Sequence, residues 1–94
     1  MPQSHRHTDI CTGHSCWPPR QNVTASINVF VNNLGQHRVT DGWKQHCCGT
    51  CHGGIATTGS PNVFTNNLKS CRILDAVSCG SFMMTGSPNV WINP

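Results

Sequence analysis

The sequence has no glutamate and no tyrosine, and only three acidic side chains in 94 residues. Those three, Asp9, Asp41 and Asp75, each stand three positions after an arginine, namely Arg6, Arg38 and Arg72. A carboxylate repeated in one frame reads as a repeated Arg–Asp or Asp–backbone interaction that orients the loop behind it. No spare carboxylate pair remains for general acid–base work, which points away from an enzyme. Charged residues make up 10% of the chain, and the six lysines and arginines are scattered, so the net charge of +3 supplies no basic stripe for nucleic acid. No apolar run approaches the length of a membrane span. No window sustains a helical period. The first residues, Met-Pro-Gln-Ser-His-Arg-His, lack the apolar segment of a signal peptide. The expectation is a chain made in a reducing cytosol, where Cys/His clusters favour metal over disulfide.

What the chain does have is repetition. Three segments share the form Ser-x-Asn-Val-aromatic-x-Asn, starting at Ser26, Ser60 and Ser87. Their centres, Val29-Phe30-Val31, Val63-Phe64-Thr65 and Val90-Trp91-Ile92, are β-branched and aromatic and read as strands. Ser-Pro-Asn ahead of the second and third is turn chemistry, and Asn32-Asn33 and Asn66-Asn67 read as turns after the strands. The links Asn32 to Arg38 and Asn66 to Arg72 are equal in length, whereas the stretches from each Asp to the next Ser differ. The expectation is a single domain over 1–94 that is nearly all-β. Its repeat units span about 6–32, 38–66 and 72–93, arranged about an approximate threefold axis that protects the strand edges.

Seven cysteines and six histidines are the means of stapling so small a core. The odd count means that not every cysteine sits in an internal disulfide. Counted forward from the Asp, His14 and His46 share an offset, and Cys79 falls one position short of it. Counted back from the Ser of the turn, His52 and Cys79 share an offset. Equivalent loops on a threefold axis would therefore bring His14, His46, His52 and Cys79 together, three imidazoles and one thiolate, a closed tetrahedral set suited to one structural zinc. Iron is not excluded by this set. Two other readings stay open: a thiolate-rich site built on Cys47, Cys48 and Cys51, and a redox pair in Cys48-Gly-Thr-Cys51. Cys11 with Cys16, or Cys47 with Cys51, would be the bridges in oxidising surroundings. Otherwise these cysteines, with Cys71, read as small buried residues. His5, His7 and His37 flank the repeated arginines and read as strand or surface residues. Trp17 and Trp43 read as packing around the metal. Phe30, Phe64 and Trp91 read as core or interface.

The segments Gly59-Ser60-Pro61-Asn62-Val63-Phe64 and Gly86-Ser87-Pro88-Asn89-Val90-Trp91, with the Arg-x-x-Asp frame, resemble the PAAR-repeat family. The Pro-Ala-Ala half has diverged to Gly35-Gln36-His37 and Lys69-Ser70-Cys71, and the first repeat carries Ala25-Ser26-Ile27. The resemblance implies a small pseudo-threefold cone with a zinc near its apex, held by three histidines and one cysteine. It further implies a structural, non-catalytic role without a small-molecule substrate. The broad base would cap a trimeric β-helical spike, one copy per trimer, in a contractile phage tail or a type VI secretion system. The tip would then contact the target membrane mechanically. The protein would be a virion part, or cytoplasmic until secreted. Some of Val29, Val63, Val90, Phe30, Phe64 and Trp91 would form the partner face. No toxin or adaptor extension is expected beyond Arg6 or Asn93. The alternative is a zinc-stabilised nucleic-acid-binding or interaction module, which would need a basic stripe with stacking aromatics.

Overall fold

Two hairpins of identical design frame the molecule, whose computed structural model describes residues 2–92. Strand β1 (Phe30–Val31) pairs with β2 (Leu34–Gly35), and β5 (Phe64–Thr65) pairs with β6 (Leu68–Lys69), both antiparallel. Each is closed by Asn-Asn with both residues left-handed, at φ 53° and 67° in the first and 54° and 65° in the second. A two-residue turn with two positive φ values matches the twist of its flanking strands, and asparagine adopts that region at low cost. Before each strand, a serine hydroxyl accepts the backbone N–H two and three residues on: Ser26 from Asn28 and Val29, Ser60 from Asn62 and Val63, Ser87 from Asn89 and Val90. The third expected strand, around Trp91, is a single bridge. Its partner is Gln3, at the position that Gly35 and Lys69 hold in the other units. Among the described residues these two segments share that one bridge. Asn93, the expected end of that unit, lies outside the described residues.

The axis is closed by a ring of three backbone hydrogen bonds. His5 N–H donates to Cys71 O at 3.1 Å, Cys71 N–H to His37 O at 2.9 Å, and His37 N–H to His5 O at 3.1 Å. These residues each precede a repeated arginine, and all three are fully buried. His5 and His37, expected as strand or surface residues, are neither: both lie outside the strands and are fully buried. The ring forces their side chains inward, where His5 Nδ1, His37 Nδ1 and Cys71 Sγ reach the carbonyls of Thr85, Thr24 and Thr58. His7 is only half-buried. The Gln36 amide occupies the centre: its Nε2 lies 3.1, 2.7 and 3.1 Å from the carbonyls of His5, His37 and Cys71, and Ser4 Oγ donates to its Oε1.

Each Arg-x-x-Asp block is a turn closed by Asp N–H to Arg O, with Thr8, Thr40 or Leu74 at positive φ just before the Asp. The guanidinium grips its carboxylate through Nε at 2.9, 2.9 and 3.0 Å. Burial alone would raise the carboxyls of Asp9 and Asp41. The guanidinium and backbone N–H of Arg6 and Arg38 outweigh it and hold them below the usual range. Beyond the turn comes the apolar core: Cys11, Trp43 and Val77, two residues after each Asp, with Ala56, Met83 and Cys71. The stretch after Asp41, expected to be a loop, is instead the longest hairpin, β3 (Gly42–Cys48) against β4 (Thr50–Ile55). It bulges between Trp43 and His46 and reverses at Gly49, φ 78°. The bulge breaks the alternation that identifies a strand in sequence.

Candidate metal centre

The β3–β4 ladder places His46 directly opposite His52. The loop after Asp9 brings His14 to them, and the loop after Asp75, turned by Gly80 at φ 106°, brings Cys79 from the side. The four residues lie together as their offsets predicted, with ligand atoms all within 4.8 Å of one another. Nε2 of His14 stands 3.2 Å from that of His46 and 2.9 Å from that of His52, and the last two are 2.8 Å apart. Cys79 Sγ lies 3.9 Å from His46 Nε2. A tetrahedral zinc with ordinary bond lengths separates its nitrogens by about 3.3 Å and nitrogen from sulfur by about 3.6 Å. The three nitrogens fit one such ion with shifts of a few tenths of an ångström, while Cys79 Sγ, up to 4.8 Å from the farthest of them, would move in by about an ångström. Three Nε2 atoms this close have no room for a proton on each, so their lone pairs converge. His46 shows how the tautomer is fixed: its Nδ1–H donates to Pro18 O at 2.7 Å, which leaves Nε2 free to ligate.

The surroundings favour the ligating forms. Desolvation, then the neighbouring imidazoles and Arg20, lower the pKa values of His14 and His52 and keep both rings neutral. At Cys79 burial opposes ionisation, but the Ser81 backbone N–H and hydroxyl and the Arg20 guanidinium overcome it and lower the thiol's pKa. Arg20 was not singled out by the sequence. It is 7% exposed, and among the described residues it pairs with no carboxylate. It reaches Cys79 Sγ at 3.3 Å, Cys11 Sγ at 2.9 Å and Lys44 O at 2.8 Å, and lies 5.1 Å from the centre of the Trp43 ring. Its one signal in the sequence is that it alone of the four arginines falls outside the Arg-x-x-Asp frame.

Trp17 packs on the cluster as expected, stacked on His14 at 5.1 Å with its indole N–H on Thr50 O at 3.0 Å. Trp43 sits one layer below, buried against His5 and His37. Two disulfides surround the site, Cys16–Cys48 and Cys47–Cys51. The second was among the expected bridges. The first replaces Cys11–Cys16, because Cys11 points into the core while Cys16 lies exposed beside the hairpin tip. With Cys47, Cys48 and Cys51 bonded, neither the thiolate-rich site nor the Cys48–Cys51 pair forms. The expectation of metal in place of disulfide is thus corrected: the cluster accommodates both.

The family model described as PAAR motif matches residues 12–85 of the chain. No curated protein matches it.

Proposed function

Because the chain belongs to the PAAR-motif family, whose proteins are associated with the spike tips of contractile injection systems, we propose that it caps a trimeric β-helical spike as a structural, non-catalytic tip. One copy would seat on one trimer, in a phage tail baseplate or a type VI secretion machine, and would sharpen it for piercing the target envelope. The observation that carries this reading is the repeated apolar set Phe30, Phe64 and Trp91, which are 59%, 55% and 48% exposed at equivalent positions of the threefold frame. Val29 and Val90 beside them are exposed as well. A monomer with three equivalent contacts can meet an exact trimer, since each unit faces a like chain. The ring of His5, His37 and Cys71 and the core separate this face from the His/Cys cluster.

At the other end His14, His46, His52 and Cys79 would hold one structural zinc, whose chemistry is to cross-link three chain segments that share little core of their own. Arg20 would keep the thiolate oriented. The nucleic-acid alternative loses its cations: three of the six lysines and arginines are spent on Asp9, Asp41 and Asp75, and Arg20 is buried.

The test is stoichiometric. The protein mixed with its genomically neighbouring spike should elute as one tip per trimer in light-scattering chromatography. Replacing Phe30, Phe64 and Trp91 together by Asp should abolish the complex and leave the bound metal in place. A triple variant that still caps the trimer would refute the proposed face.

A further inference from the structure

Each histidine of the cluster lies within two residues of a disulfide-bonded cysteine. His14 is followed by Cys16, His46 by Cys47 and Cys48, and His52 is preceded by Cys51. On the β3–β4 ladder, Cys47↔Cys51 is the pair next to His46↔His52. Bridging the first pair therefore clamps the register in which the two imidazoles face each other. Cys16–Cys48 ties the loop carrying His14 to the tip of the same hairpin. That loop is also joined to the hairpin by hydrogen bonds, Trp17 Nε1–H to Thr50 O and His46 Nδ1–H to Pro18 O near the cluster, and Arg20 Nε–H to Lys44 O and Lys44 N–H to Gln21 O farther along. Cys79, the fourth ligand, is a free thiol, and the other free thiols, Cys11 and Cys71, are buried away from solvent.

We propose that the two disulfides set the metal affinity of the cluster: closing Cys16–Cys48 and Cys47–Cys51 pre-organises His14, His46 and His52, so that the oxidised protein binds a divalent metal more tightly than the reduced one. This rests on the reading of the cluster as a metal site. The oxidant is a small-molecule disulfide such as oxidised glutathione. A protein thiolate attacks it and releases one thiol; the partner cysteine then attacks the mixed disulfide and releases a second. Each protein disulfide thus forms as one small disulfide is reduced to two thiols. Cys16, Cys47 and Cys51 are exposed and open to that attack. Linkage makes the effect reciprocal, so bound metal makes the disulfides harder to reduce by the same factor. The apex is then held by metal in a reducing compartment and by metal and disulfides together in an oxidising one.

The experiment is a zinc-chelator competition on the full chain, once oxidised and once reduced with a phosphine, with the cobalt spectrum recorded in each state. The expected result is zinc affinity at least tenfold higher in the oxidised protein, with one thiolate on cobalt in both states. The paired variants Cys16→Ser with Cys48→Ser, and Cys47→Ser with Cys51→Ser, should each remove part of the difference while circular dichroism shows the fold retained. Equal affinity in the two states, or weaker binding when oxidised, overturns the coupling and leaves the metal site standing. Three or more thiolates on cobalt in the reduced protein also overturn it, because the metal would have moved to the released cysteines. Failure to bind zinc in either state overturns the metal site itself.

Discussion

Thr85 Oγ1 donates to Asp9 Oδ1 at 2.9 Å, across 76 positions of sequence. Thr24 does the same to Asp41 at 3.1 Å and Thr58 to Asp75 at 3.0 Å, so each unit's threonine holds the next unit's carboxylate. The same three hydroxyls accept the backbone N–H one residue after each Asp, from Gly42, Ala76 and Ile10. Units one, two and three are thereby linked in a closed cycle.

Replacing any one of these threonines by valine keeps the shape, removes a donor to a carboxylate and leaves a backbone N–H without its acceptor. Such a change costs about 1–3 kcal/mol. Equilibrium denaturation should show a loss of that size for Thr24→Val, Thr58→Val and Thr85→Val, with most of it restored by serine. Losses below about 0.5 kcal/mol, the range of ordinary surface changes, would show that the cycle contributes little.

Leu74 sits at φ 76° and is 72% exposed. A left-handed leucine gains nothing there from burial and bears a steric cost of about 1–2 kcal/mol that glycine avoids. Leu74→Gly should raise the melting temperature by several degrees, offset in part by the greater entropy of the unfolded chain. Thr40, at φ 81°, should respond in the same direction. A lower melting temperature for Leu74→Gly would mean that the leucine is held by contacts stronger than the strain.

Burial lowers the pKa of His5 from 6.5 to about 4 and that of His37 to about 3. The folded values lie below the unfolded one, so the unfolded chain takes up protons first as pH falls. Stability is therefore complete above about pH 6.5 and is lost as pH falls from there toward 4 and 3. Between pH 7 and 5 each histidine should cost about 2 kcal/mol. Cys71 holds the equivalent place in the third unit, and burial pushes its thiol up, so it stays neutral. His37→Cys should therefore remove one histidine's share, about 2 kcal/mol, of the acid destabilisation of the metal-free protein between pH 7 and 5, leaving the shares of His5, His14 and His52. An unchanged slope would place the acid sensitivity elsewhere.

The repeat frame was legible because its rules are local. Asn32-Asn33 and Asn66-Asn67 announce their turns, and Arg6, Arg38 and Arg72 announce their carboxylates by spacing alone. His14, His46, His52 and Cys79 were found by counting from those landmarks, because symmetry turns equal offsets into spatial proximity. Features that need a contact between units were not legible. The threonine cycle joins residues of neighbouring units, although Thr24, Thr58 and Thr85 stand two before each Ser. The burial of His5 and His37 follows from a ring that only three assembled units create. The β3–β4 hairpin was hidden by its bulge, and Cys16–Cys48 by a separation of 32 residues. Arg20 has no repeated counterpart to mark it.

Three imidazoles and one thiolate would hold a single metal at the apex. X-ray absorption at the zinc edge of the purified protein measures this directly. The expected result is one zinc per chain with three nitrogens at about 2.0–2.1 Å and one sulfur at about 2.3 Å, the sulfur shell vanishing in Cys79→Ser. Two or more sulfurs on the zinc, or a sulfur shell that survives Cys79→Ser, would contradict it.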